Sequence, residues 1–486
     1  MRKGEITAFL SMVFVLLVSF VLGILEISLI RTSAGMSRVT ADSAVFSLFG
    51  GYQKALFEDY HVFAFDGSFG SGPFSEEQIT GRLHYYGSPE ISHEITGVQF
   101  LTDGSGQAFR EQVLEYMETR YGVSLIRDFT GLTGQWEEEC IRGEEMKAQE
   151  ESVMADLEEL RADLSQAWTA GEARPEGGQD APEEGQDVPE DQASLPEGNP
   201  FGCLEQIEKS GVLSLVMPEE MELSGLEIEQ AGQASVRSLA SGSGTFPHRQ
   251  GMDGLEEKLL FNEYVLKTFG NAVSTQEEED GSSGRTLSYE AEYILGGKAS
   301  DRENLESVLL KIFFIRMAMN YIYLLGDSAK RGEATALAAV IAAALLIPEG
   351  TEVIEQLILV AWAAGESIVD IRTLLGGKRA ALMKSADTWQ VSLSSLLTLG
   401  SGADGLSGED AAGGISYEDY LRIFLFFGNT DEVTMRTVDR VEENLASEHG
   451  LSVLRADQCV TKMELLNTSQ TAGGITYTFP LYFGYC

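Results

Sequence analysis

Three carboxylates, Glu355, Glu366 and Asp370, are spaced to project within about 60° of one another on a helix turning 100° per residue. Paired acids of this kind can do glycosidase work, one as proton donor and the other as nucleophile or base. Ion pairing to nearby arginines, or plain solvation, is the expected use. His84 and His93 can lie near each other on a sheet, but two imidazoles without a third ligand fall short of a zinc site. Gly400, Gly402 and Gly405 spell G-x-G-x-x-G. The dinucleotide fingerprint needs a helix opening at those glycines, whereas here a Gly-rich loop runs on to Gly414. There is no G-x-S-x-G elbow, HExxH, P-loop or EF-hand pattern. No catalytic residue, cofactor or metal ligand is therefore expected, and no enzyme. Cys140, Cys203, Cys459 and Cys486 form no CxxC pattern. An exported location would allow Cys459 and Cys486 to pair; free thiols are the alternative.

The element that positions everything else is Ile6 to Ile30. Its 25 residues include one charged side chain, Glu26. As a helix it would span about 37 Å, enough to cross a hydrocarbon core of about 30 Å. Arg2 and Lys3 precede it, which places the N-terminus in the cytoplasm and the large remainder outside. Arg31 and Arg38 follow the run. A cleaved signal peptide would have an apolar core of roughly 7–15 residues and an A-x-A-like site. Thr32 to Met36 offers no such site, so an uncleaved anchor is expected. Glu26 near the outer end either reaches headgroup water or pairs with a basic group on a partner helix, the one site contact the sequence suggests. The lipid bilayer, through residues 6–30, is the first expected partner, with other pilin-like transmembrane helices the second.

The helix should continue beyond the membrane. Ile27, Ile30, Ala34, Ala41, Val45, Leu48, Tyr52 and Leu56 recur at three, four or seven residues, with Gly50-Gly51 a place to bend. With 76 acidic against 34 basic residues, the net charge is −42. Such a surface repels nucleic acid and anionic lipid. The expected fold class is helix-rich α+β: a single N-terminal transmembrane helix continuing into an extracytoplasmic body with small β-sheet elements and a disordered acidic linker.

Four divisions follow: an anchor over 1–30, a membrane-proximal α+β pilin-like domain over 31–168, a linker over 169–199, and a helix-rich distal domain over 200–486 with a C-terminal β-hairpin. In the linker Pro175, Pro182, Pro189 and Pro196 recur every seven residues, each followed by Glu; such a segment cannot repay the entropy of folding. In the proximal part, Arg82 to Leu101 reads as strands, Gln107 to Tyr121 as a helix and about Glu137 to Trp168 as a charged helix. Distally, Gly254 to Phe269 reads as a helix, Leu287 to Leu295 as a strand or a strand entering a helix, and Asn304 to Leu325 as a helix capped by Ser300 or Asp301. Ala334 to Ile347 and a helix capped by Thr351 form a buried hairpin, because the first run is too short to span. Tyr417 to Phe427 and Asp431 to Leu445 are two more helices. Ile475, Tyr477, Phe479, Leu481 and Phe483 share one strand face, Val460 to Leu466 is the pairing strand, and Pro480 marks an edge. An aromatic platform of Tyr477, Tyr482 and Tyr485 would suit a wall-polymer-binding module, although a regular strand puts Tyr477 and Tyr482 on opposite faces.

The start, from Lys3-Gly4-Glu5-Ile6-Thr7-Ala8-Phe9-Leu10 through Glu26 and Ala41 to Asp66, resembles the N-terminal segment of TadE/TadG-like proteins of tight-adherence (Flp) pili. The stretch Tyr289 to Lys298 with Asp301, Asn304 and Arg316, then Ala361 to Asp370, then Tyr417 to Arg422, is similar to an uncharacterised family of Gram-positive membrane-anchored proteins. The first resemblance implies a minor pilin or assembly role. Type IV prepilins are cut after a Gly with Glu at the fifth mature position, where Gly4 is here followed at once by Glu5; TadE/TadG-like proteins are looser in this respect. The expected function is a membrane-anchored extracytoplasmic structural or assembly protein, a pseudopilin-like component of a Tad/Flp-type pilus or secretion apparatus. A membrane-tethered cell-wall enzyme or wall-polymer-binding module is the alternative.

Overall fold

The computed structural model describes residues 3–121, 200–217, 223–247, 254–274, 284–344, 350–399, 406–471 and 474–485. Helix α1, Lys3–Phe49, is one unbroken helix of 47 residues, about 70 Å long at the usual rise. From Ile6 to Leu29 its side chains are exposed, Gly23 apart. Higher up, Ala41, Ala44, Val45, Leu48 and Phe49 are buried. Their three- and four-residue spacing makes one stripe, as the sequence pattern indicated. The helix ends at Phe49, before Gly50 and Gly51.

Next come α2 (Lys54–Tyr60), the short β1 (Phe65–Asp66) and α3 (Glu76–Tyr86). Ser75 caps α3 by accepting from the Gln78 N–H. The expectation of strand from Arg82 is corrected here, because Ile79 and Leu83 stand one turn apart and bury one helix face against α1. Strand β2 (Ile91–Phe100) and a helix over 103–121, α4, complete the N-terminal part. The charged helix expected over about 137–168, the 169–199 linker and Cys140 lie outside the described residues.

Beyond the linker come α5 (Leu255–Thr268), α6 (Glu290–Gly296), α7 (Asp301–Gly326), α8 (Ser328–Ala344), α9 (Thr351–Leu375), α10 (Tyr417–Phe427) and α11 (Thr430–His449). Residues 290–296, read as strand or strand entering helix, are helical. Gly350, rather than Thr351, occupies the α9 N-cap position. Helix α7 is apolar enough to cross a membrane by composition, yet about half of that stretch is buried in the protein. It also carries buried Arg316 and Asn320, so it is a core helix. Strands β3 (Cys459–Gln470) and β4 (Thr476–Gly484) close the chain.

The C-terminal hairpin does not belong with the distal helices. β3 pairs antiparallel with β2 on one side and with β4 and β1 on the other. Among the described residues the N-terminal part supplies one long strand, and its backbone donors and acceptors need a partner; β3 supplies it. Val460, Met463 and Leu465 of β3 pack with Phe65, Val98, Phe100 and the α1 stripe. A second, larger core joins Leu56, Phe109 and Val113 to Cys203, Phe261, Trp362 and Tyr420. One packed body thus draws on both sides of the linker, against the expected division at residue 200. Burying each large apolar side chain contributes roughly 1.5–3 kcal/mol, so Leu56, Phe109, Val113 and their neighbours tie the N-terminal part to the distal helices.

Candidate functional site

Helix α9 carries all three carboxylates singled out in the sequence, and the fold separates their roles. Glu355 lies 3.6 Å from the Arg331 guanidinium of α8 and ties the hairpin together. Glu366 and Asp370, one turn apart, face inward and are buried. The Lys384 ammonium sits between them, 2.5 Å from Glu366 Oε1 and 2.7 Å from Asp370 Oδ1. Asp370 Oδ2 accepts from Arg316 Nε at 2.9 Å and Nη2 at 2.6 Å, and from Asn320 Nδ2 at 3.1 Å. Arg316 Nη1 donates to Ala381 O at 2.7 Å. Glu366 accepts from the backbone N–H of Gln390 and, at 2.8 Å, of Val391. The two acids thus fix the irregular segment 381–391 onto α7 and α9.

The approach is close because α9 is small where it must be. A Cβ on Gly365 would come within 3.0 Å of Leu396 and Leu399. Both tryptophans of this region, Trp362 and Trp389, donate their indole N–H to Val391 O, at 2.7 and 2.6 Å. Lys330 lies 4.8 and 4.9 Å from their ring centroids, a cation–π contact that fills the aromatic corner with the protein's own ammonium. A cleft of about 90 Å³ opens beside Asp370 and Lys384, lined also by Asp387, Thr388 and Asp410.

Burial pushes the Glu366 carboxyl up, and Asp370 adds to that, while Lys384 opposes it. Arg316 is the reverse case: burial would lower it, but Asp370 holds it above its ordinary value. A glycosidase pair needs carboxyls about 5–5.5 Å apart, or wider, with substrate or water between them. Here an ammonium occupies that space, and the arrangement works as a buried ion lattice.

A second lattice surrounds α6. Glu292 Oε1 accepts from Ala272 N at 2.9 Å and from Tyr417 OH of α10 at 2.7 Å. Glu290 accepts from Asn444 and Arg285. Tyr293 OH donates to Asp439 of α11 at 2.8 Å. Asp301 accepts from the backbone N–H groups of Ser288 and Tyr289. Polar residues of 289–298, 361–370 and 417–422 thus bond to one another and to neighbouring helices: Glu292 to Tyr417, Glu290 and Tyr293 to α11, Asp370 to Arg316 of α7 and Arg422 to Glu263 of α5.

Residues 190–471 match a family of unknown function, DUF5702. The chain belongs to that family. No curated protein and no solved structure matches it. The DUF5702 stretch takes in both lattices, the helical body and β3, while α1 and β4 lie outside it.

The other sequence candidates are dispersed. Glu26 is exposed on the bare part of α1. His84 and His93 do meet, with ring centroids 5.3 Å apart. His93 Nδ1 lies 2.6 Å from Asn467 Oδ1, and both Nε2 atoms are buried without a hydrogen-bond partner. Burial holds the His93 imidazole below its ordinary value. Among the described residues the one group bringing three metal-type ligand atoms within 4.8 Å is elsewhere: exposed Asp59, Glu448 and His449. His449 there pairs with Asp59 and Glu448 with Arg285. Cys203 and Cys459 are buried free thiols; Cys486, Gly400, Gly402 and Gly405 lie outside the described residues. The three tyrosines form no platform: Tyr477 stacks on Phe479, Tyr485 OH donates to Phe49 O, and Tyr482 faces Phe246 on the opposite side.

Sequence reasoning missed Lys384 and the partners of Glu290 and Glu292. Charged residues inside apolar runs, as in Leu287 to Leu295, were the available signal. Arg285 is five residues from Glu290, but Asn444 and Tyr417 lie more than 120 positions away.

Proposed function

We propose that this is a membrane-anchored extracytoplasmic structural or assembly protein, a pseudopilin-like component of a Tad/Flp-type pilus or secretion apparatus. One observation carries the reading: α1 is a single helix, bare and apolar over its first half and packed against an antiparallel sheet over its last turns. A helix of that design joins a bilayer, or a bundle of like helices, to a folded head. The resemblance of residues 3–66 to TadE/TadG-like proteins supports the same role, and the interlocked polar groups of the head serve rigidity.

Fractionation of intact cells after mechanical shear, with the mass of the N-terminus read out, tests this. A filament subunit is released with sheared surface fibres. An assembly component stays in the membrane at full length. A soluble chain that has lost residues 1 to about 35 would show a cleaved signal sequence and overturn the anchor.

Glu26 gives a finer prediction. Polar contacts between membrane helices contribute about 1 kcal/mol, or about fivefold in association. Glu26→Gln should therefore reduce recovery of a crosslinked partner helix by about fivefold, with insertion unchanged. Unaltered crosslinking would remove Glu26 from the interface.

A further inference from the structure

We infer that the start of β4, at Ile475 and Thr476, sits in the headgroup layer of the membrane that α1 crosses, so that the head touches the bilayer at a second point. This rests on reading α1 as a membrane span. β4 runs alongside α1 in the same direction: Phe479 packs with Ala41, and farther along Phe483 and Tyr485 lie 4.5 and 5.1 Å from Phe49. Ile91 joins Ala41 and Phe479, and across the sheet it stands opposite Ser469, itself opposite Tyr477. From this level the strand continues toward Ile475, back along α1. Two to four residues of strand cover about 7–13 Å. The helix from Ala41 down to Ile30 covers about 16 Å. Ile475 therefore comes within about 10 Å of the top of the apolar run, and the headgroup layer is itself about 5–7 Å thick.

The chemistry of the tip fits that position. Charged residues make up 23% of the chain, yet Leu465 to Cys486, 22 residues, contains none. Near the turn the exposed positions are Gln470, Gly474, Ile475, Thr476 and Thr478, with Ile475 half exposed. An uncharged tract suits a position next to the hydrocarbon core, because the cost of a charge grows from the interface toward the bilayer centre. The described backbone of the tip is also internally bonded: Thr471 N donates to Ile475 O at 2.8 Å and Gly474 N to Thr471 O at 3.0 Å. Thr471 Oγ1 donates to Ile475 O as well. An uncharged edge could alternatively pair with a second copy, but Pro480 removes a donor from the middle of β4.

The test uses full-length protein in phosphatidylcholine nanodiscs, with Cys140 and Cys486 changed to Ser. An environment-sensitive fluorophore is attached at Ile475→Cys, Val18→Cys or Tyr85→Cys, one at a time, and quenched by lipid spin-labelled near the headgroup or at mid-chain. Tyr85 is highly exposed and lies near the level of Thr40 and Ala44, to judge from the contacts of nearby Gly87. The expected result is several-fold quenching at 475 by the shallow label, quenching at 18 by the deep label, and none at 85. Quenching at 18 with none at 475 overturns the hairpin contact and leaves the anchor standing. No quenching at either overturns both. Equal quenching at 475 and 85 also overturns it, since the head would then lie on the membrane without a specific point of contact.

Discussion

Lys384→Met is expected to cost about 3–5 kcal/mol of unfolding free energy, the usual penalty when one partner of a buried ion lattice is removed. The side chain is nearly inaccessible, and it neutralises two carboxylates at once. Without it Asp370 keeps Arg316 and Asn320, but Glu366 keeps only backbone donors. Glu366 should then bind a proton. Its folded-state value is already raised, and a raised acid contributes stability below its unfolded value that is lost as pH rises. The penalty should therefore be larger at pH 8 than at pH 5. Trp362 and Trp389 report the transition without added label, because both hydrogen-bond Val391 O in the segment that Lys384 holds. Denaturant unfolding in detergent, followed by their fluorescence, gives the number. Adding Glu366→Gln should recover part of the loss. A loss below about 1 kcal/mol, flat with pH, would mean that water already screens the site and that the lattice is not a buried one.

This lattice shows where sequence reading reaches and where it stops. Helical spacing placed Glu366 and Asp370 on one face of α9, and ion pairing was the expected use. Arg316 stood in the sequence as a charge inside an apolar helix, but its pairing with Asp370 spans 54 positions, which no local pattern records. Lys384 belongs to an irregular segment with no periodicity at all. The α1 stripe was legible because burial on a helix repeats every three to four residues. Helices α5, α7, α10 and α11 were legible for the same reason, helped by caps such as the Ser416–Asp419 capping box.

The sheet was legible strand by strand but not in its assembly. Alternation from Tyr477 to Phe483 correctly gave one face, which packs with α1, while Ile475 precedes the strand and is exposed; Val460 to Leu466 correctly gave the hairpin partner. That β3 would also pair with β2, more than 350 residues earlier, depends on which edge remains open after everything else has packed. The same cause broke the expected boundary at residue 200. Residues 82–86 were read as strand together with the alternating run from Ile91, although only 91–100 is a strand and 82–86 close α3. Tertiary contact with α1 decided for the helix.

Glu292 carries the second large effect, a stability that falls across neutral pH. Burial pushes its carboxyl from 4.5 up to about 7, with the Ala272 N–H and Tyr417 hydroxyl pulling the other way. Its Oε2 is buried without a partner, so the ionised form keeps one oxygen unsolvated. The folded state thus holds a proton that the unfolded state releases near 4.5. Stability from this group is fully present below that value and is lost as pH rises through about 7. The gap corresponds to about 3 kcal/mol. Glu290 is shifted in the same direction by its own burial, whereas neutral, buried His93 adds the opposite slope below its unfolded value. The difference between wild type and Glu292→Gln removes both of those contributions. That difference should change by about 3 kcal/mol between pH 5 and pH 8, in favour of the amide at high pH. Parallel stability curves for the two proteins would show that Glu292 is ionised throughout. Tyr417→Phe adds a directional check: it deletes a donor to Oε1, so Glu292 should rise further and the fall in stability should move to higher pH. A movement to lower pH would mean that the hydroxyl accepts from a protonated Glu292 instead of donating to it.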